Sequence, residues 1–161
     1  MDDRLFHIVL WEPEIPPNTG NVARLCAALG LPLHLVGPLG FRVSDREVRR
    51  AGLDYWESVD LRVYPNRQAF EAANPAAPAW YFSTRGERTF WDAAYSPGDY
   101  LIFGSETRGL PHDLLDDDPD RVVRIPHGPA VRSLNLANSV AIGVYEALRQ
   151  NRDRAEWRSG K

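Results

Sequence analysis

The chain is almost without cysteine, methionine and lysine: Cys26 and Met1 are single, and Lys161 is the only lysine among 19 basic residues in a sequence of 161. A lone cysteine excludes an intrachain disulfide and any paired-cysteine metal or redox motif, so Cys26, on the apolar side of a helical stretch, reads as a small buried hydrophobe. The 4 histidines, His7, His34, His112 and His127, fall at no metal-ligand spacing, and no metal is expected. No Walker-type phosphate loop is present. No G-x-G-x-x-G follows the first strand, which disfavours a dinucleotide-dependent oxidoreductase. There is no run of about 18 apolar residues to cross a bilayer. The opening residues also lack a charged leader with an apolar stretch and cleavage site. The expectation is a cytoplasmic protein without membrane contact.

What is present suits one domain, residues 1–161, with an ordinary hydrophobic content of 43% and a net charge of -3. The acidic total argues against a bulk nucleic-acid binder, yet the arginines cluster: Arg42, Arg46, Arg49 and Arg50 in one stretch, Arg85 and Arg88 in another. Such clusters serve either as solvated faces or, through the flat guanidinium fork, as phosphate and base contacts. The run Asp116-Asp117-Asp118, with Asp120 behind it, is most simply a solvated loop.

Short apolar runs alternate with helical patterns. Strands are predicted at Phe6–Trp11, Leu33–Gly37, Leu61–Tyr64, Ala79–Thr84, Tyr100–Gly104 and Val122–Pro126. Helices are predicted at Asn21–Leu29, Asp45–Gly52, Arg67–Asn74, Leu110–Asp117 and from Ser133 to about Arg152. The alternation implies an α/β fold with a mostly parallel sheet covered on both faces. The last helix carries Leu134, Ala137, Val140, Ala141, Val144 and Leu148 as a stripe wide enough for both the sheet and a second subunit. The tail, residues 153–161, is polar and expected to be loosely held.

In an open parallel sheet ligands bind beyond the carboxyl ends of the strands. Three segments in such places are unusual. Glu12–Arg24 is a proline-stiffened loop bringing Asn18, Asn21 and Arg24 to a helix start, where the asparagines serve either as caps or as ligands. Phe103–Pro111 follows a buried strand, and Gly104 either makes a turn or lets a ligand approach the backbone. Ile125–Asn138 is a Gly/Pro-rich loop entering a helix, with Ser133 as N-cap; a helix N-terminus also offers free N–H groups to an anion.

Taken together, N-x-G-N-x-x-R at Asn18–Arg24, F-G-x-E-x-x-G-L-P at Phe103–Pro111 and R-S-L-N-L-x-N at Arg132–Asn138 resemble the SPOUT methyltransferases of the 2'-O-ribose group. The opening P-E-I-P-P-N-T-G-N and the Arg49–Trp56 segment resemble the branch acting on the tRNA wobble ribose. The resemblance implies a deep C-terminal trefoil knot over about residues 79–152, a homodimer, and S-adenosylmethionine bound in the knot against Phe82, Gly104, Ile125, Ser133 and Leu134. It implies catalytic roles for Arg24, Asn18, Glu106, Ser133 and Asn135, with Arg24 beside the acceptor hydroxyl. The RNA is expected to be a tRNA anticodon loop, held by Arg42, Arg46, Arg49, Arg50 and Arg85. Other readings are the same chemistry on ribosomal RNA or another tRNA position, and a catalytically silent RNA-binding module.

Overall fold

The computed structural model describes residues 3–44, 46, 50 and 56–155. In chain order the elements are β1 (Phe6–Trp11), α1 (Pro16–Leu29), β2 (Leu33–Val36), β3 (Leu61–Tyr64), α2 (Arg67–Ala73), β4 (Ala79–Phe82), β5 (Arg88–Thr89), β6 (Asp99–Phe103), α3 (His112–Asp117), β7 (Val122–Arg124) and α4 (Leu136–Gln150). The strands form one sheet in the order β3-β2-β1-β6-β4-β7-β5, with every pairing parallel. This is the expected α/β class. The helix expected over Asp45–Gly52 lies largely outside the described residues, as do Arg49 and the end of the tail.

All six residues of β1 are buried, as a central parallel strand requires. Phe6, Ile8 and Leu10 pack with Leu33, Leu35, Leu101 and Phe103 beneath Val22, Ala23 and Cys26 of α1 and Val140, Val144 and Ala147 of α4. Burying each of the larger of these side chains contributes about 1.5–3 kcal/mol. Val9 and Trp11 face the other way, with Val36, Ile102, Phe70 of α2 and Leu114 and Leu115 of α3. On that second face His7 and His34 are buried and satisfied by partners. His7 Nδ1 lies 2.9 Å from His34 Nε2, and His34 Nδ1 lies 3.0 Å from the Tyr64 hydroxyl. Neither histidine is near a metal-ligand cluster among the described residues.

Two helix starts differ from the sequence reading. α1 begins at Pro16 rather than Asn21, because a proline's fixed φ suits the first helical turn, where its missing N–H has no partner anyway. Gly20 therefore sits inside the helix, and Asn18 occupies the first turn instead of capping it. α4 begins at Leu136, and its N-cap is Asn135, not Ser133: the Asn135 side chain accepts from Asn138 N at 3.1 Å. That register points Leu136, Val140, Val144 and Ala147 at the sheet and leaves 125–135 as irregular chain. The two-residue edge strand β5 has no counterpart among the predicted strands, since a pair of residues has no period to detect.

From β1 the chain builds outward through β2 to β3, then returns to the other side of β1 with β6 beside it. The strand order thus reverses between β1 and β6, and the loops leaving the two strands diverge there to open a crevice.

Candidate active site

The first wall of the crevice is the loop from β1 to α1. Glu12 stands at φ 50, and Ile15 at the N-cap has no side-chain oxygen with which to cap the helix. The unpaired donors are met from across the sheet. Glu106 accepts from Glu14 N at 2.8 Å and Ile15 N at 3.0 Å, placing a carboxylate at the positive end of α1. Asn18, buried in the first turn, turns its amide to the same carboxylate at 3.4 Å.

The second wall is the loop leaving β6. Ser105 and Gly109 bridge, Gly109 N donating to Ser105 O at 3.0 Å, while Arg108 N donates to Ser105 Oγ at 3.1 Å. Gly109 takes φ 66, and Gly104 lies so close that a Cβ there would sit 2.2 Å from the Gly109 carbonyl carbon. Gly104 is a requirement of packing, since no side chain fits that approach. Thr107 Oγ donates to Glu14 at 2.6 Å and, as the main cause, holds the Glu14 carboxyl below its ordinary range.

The third wall precedes α4. Asn135 donates through Nδ2 to Asn18 Oδ1 at 3.0 Å while its own oxygen caps the helix. Glu106, Asn18 and Asn135 are therefore one hydrogen-bonded relay in which the first segment meets two others 88 and 117 residues further along. Each amide is oriented by two neighbours, which fixes the loops relative to one another.

Between these walls lies a cavity of about 450 Å³, within the range of small-molecule sites. Phe82, Gly104, Ile125, Ser133 and Leu134 all line it, as do Asn18, Glu106, Asn135 and Arg85. Phe82 stacks on Phe103 at 4.4 Å to form an aromatic floor, and both rings press on Gly143 of α4. Arg108, His127 and Arg132 also line the cavity, and sequence reasoning gave them no role. Arg132 opens the R-S-L-N-L-x-N motif, whereas Arg108 falls at an unspecified position of its motif and nothing in the pattern marks His127. His127 Nδ1 lies 2.8 Å from the Gly128 carbonyl.

Arg24 is exposed on α1 and does not line the cavity. Six residues past Asn18 is about 240° around a helix, so the two side chains leave α1 in different directions. Arg42, Arg46 and Arg50 are exposed and likewise stand apart from the cavity lining.

Such a cavity can hold a small molecule with an aromatic or apolar part against Phe82, Ile125 and Leu134. Its polar rim and arginines suit an anionic second substrate. The SpoU rRNA Methylase family matches residues 5–145. The tRNA (cytidine(34)-2'-O)-methyltransferase of Burkholderia ambifaria is 54% identical over 149 residues, covering 91% of this chain and 96% of that protein. A solved structure described as giving insight into 2-OH methylation of C/U34 on tRNA is 50% identical, with a TM-score of 0.88, covering 95% of this chain and all of the other. An AdoMet-bound rRNA methyltransferase from Sinorhizobium meliloti superposes with a TM-score of 0.82 at 25% identity, over 92% of this chain and 57% of that one. The relay and the cavity thus sit on a chain matched nearly end to end, and the chain belongs to the SpoU rRNA methylase family.

Proposed function

We propose that this protein methylates the 2'-hydroxyl of nucleotide 34, the wobble position of a tRNA anticodon loop, using S-adenosylmethionine. The observation that carries the reading is the convergence of all three motif segments on one cavity at the reversal of strand order. The near full-length relatives named for position 34 favour this nucleotide over a ribosomal ribose.

The donor set fits the cofactor: an aromatic and apolar wall, a serine and small residues along the backbone. Phe82, Gly104, Ile125, Ser133 and Leu134 would hold S-adenosylmethionine, which supplies a methyl group on a positively charged sulfur. The attacking 2'-oxygen must be aligned and must shed its proton as negative charge develops on it. A guanidinium stays protonated in proteins, so Arg24 serves by stabilising that charge and clamping an adjacent phosphate rather than as a base. Asn18, Asn135 and Glu106 hold the loops in place around the acceptor.

Arg24 lies outside the cavity of its own chain, and a homodimer would let a second copy deliver it. Ile142 and Tyr145, exposed one turn apart on α4, offer apolar surface for that contact. A C-terminal knot and a cytoplasmic setting belong to the same proposal. Gly86, where a Cβ would meet Val123 backbone at 2.7 Å, keeps the link between β4 and β5 close against β7 within that segment. Arg46 and Arg50, with Arg49 and Arg42, would extend the RNA surface beyond Arg85.

The test is to incubate the protein and methyl-labelled S-adenosylmethionine with tRNA lacking the modification, then map the label by nuclease digestion. Label on the ribose of nucleotide 34 is expected, and label elsewhere or absent overturns the reading. Arg24→Ala is expected to abolish transfer while preserving cofactor affinity.

A further inference from the structure

Arg108 stands at the tip of the β6 loop, on the cavity lining, with its side chain 67% exposed. The backbone beneath it is held firmly. The Ser105–Gly109 bridge closes the turn, Ser105 Oγ accepts the Arg108 N–H, and neighbouring Glu106 anchors the turn to α1. The side chain is held loosely: one terminal nitrogen is 3.8 Å from Glu12 and Nε is 4.0 Å from Glu14, both beyond hydrogen-bond distance. Glu14 is already served by Thr107 at 2.6 Å, and Arg108 is the least of the groups that hold its carboxyl down. A rigid base, a loosely held cation and a position on the rim describe a group stationed for an incoming anion.

We infer that Arg108 is a tRNA phosphate contact, stationed against Glu12 and Glu14 in the free enzyme and engaged by a backbone phosphate next to the target ribose when RNA enters. The inference rests on the RNA reading of this cavity. Arginine's fork allows one edge to face the two carboxylates while the other meets the phosphate, so the contact forms without stranding either acid. Glu12 and Glu14 have a second effect: they place negative charge where an unguarded arginine would collect any polyanion. The stationing therefore favours RNA that presents its phosphate in register with the site.

The experiment measures tRNA binding across a salt series, together with cofactor affinity and label transfer, for the full chain and for Arg108→Ala, Arg108→Lys and Glu12→Gln. Arg108→Ala is expected to raise the tRNA dissociation constant about tenfold and to lower the salt slope by about one, with S-adenosylmethionine affinity unchanged. Arg108→Lys, which keeps the charge but not the fork, should restore the salt slope and only part of the affinity, and Glu12→Gln should bind tRNA at least as tightly as the parent. Wild-type affinity and slope in Arg108→Ala overturn the inference. So does an equal weakening in Arg108→Ala and Glu12→Gln, which would make the arginine a staple between loops. Absence of transfer to nucleotide 34 by the parent protein would instead defeat the functional reading itself.

Discussion

Replacing Glu106 with Gln separates a structural anchor from a catalytic acid. In the structure its two carboxylate oxygens receive Glu14 N at 2.8 Å and Ile15 N at 3.0 Å, with the Asn18 amide a weaker third donor at 3.4 Å. Glutamine keeps one acceptor oxygen and turns an NH2 toward the other backbone N–H. One hydrogen bond to a charged acceptor, about 1.5–3 kcal/mol, is lost, and the other falls to the neutral value of about 1 kcal/mol. Ile15 is 43% exposed, so water recovers part of the deficit, and a net loss of about 2 kcal/mol remains. For a chain of 161 residues that lowers the melting temperature by roughly 6 °C. Thermal unfolding followed by circular dichroism reads this directly, and methyl transfer on the same samples should fall while its pH profile keeps its shape. An unchanged melting temperature with transfer reduced a hundredfold would refute the anchor and put Glu106 to work on the substrate.

The sheet was legible because its strands are short apolar runs between turn residues, and β1 and β6 carry them without interruption. What misled was local chemistry with two valid solutions. Pro16 and Pro17 fit both a rigid loop and a first helical turn, and only the packing of Val22, Ala23 and Cys26 against the sheet selects the second. Ser133 and Asn135 are both good caps, and the choice follows from Asn135 having a further partner in Asn18, a residue 117 positions away. The cavity residues were recognisable from three motifs, yet Arg24, like Asn21 and Asn138, is a motif residue that one chain does not bring to the cavity. Motifs record which residues a family needs; whether one chain assembles them depends on helix angle, which the spacing of Asn18 and Arg24 already contains.

Burial pushes the Cys26 thiol up to about 12 from an ordinary 9.0, so the thiol should resist a disulfide reagent at pH 8 until denaturant unfolds the chain. Because the folded state favours the protonated thiol, this stabilisation is complete below about pH 9 and fades toward pH 12; the urea midpoint should drop less over that range in Cys26→Ala than in the parent. Gly104→Ala should abolish cofactor binding, since its Cβ meets Gly109 and Leu110 backbone at 2.2 and 2.4 Å; calorimetric titration at parental affinity would contradict the packing. The last substitution, Gly143→Ala, reaches the cofactor from behind. Its Cβ would sit 2.9 Å from Phe82 Cε1 and 3.1 Å from Phe103 Cζ, the two rings that floor the cavity. Overpacking costs about 1–3 kcal/mol, of which the gain in helix propensity returns about 1. The protein should therefore stay folded while Phe82 is driven toward the cofactor, weakening S-adenosylmethionine several-fold. An unchanged cofactor affinity with a lowered melting temperature would refute this, and would mean that α4 yields before the aromatic floor does.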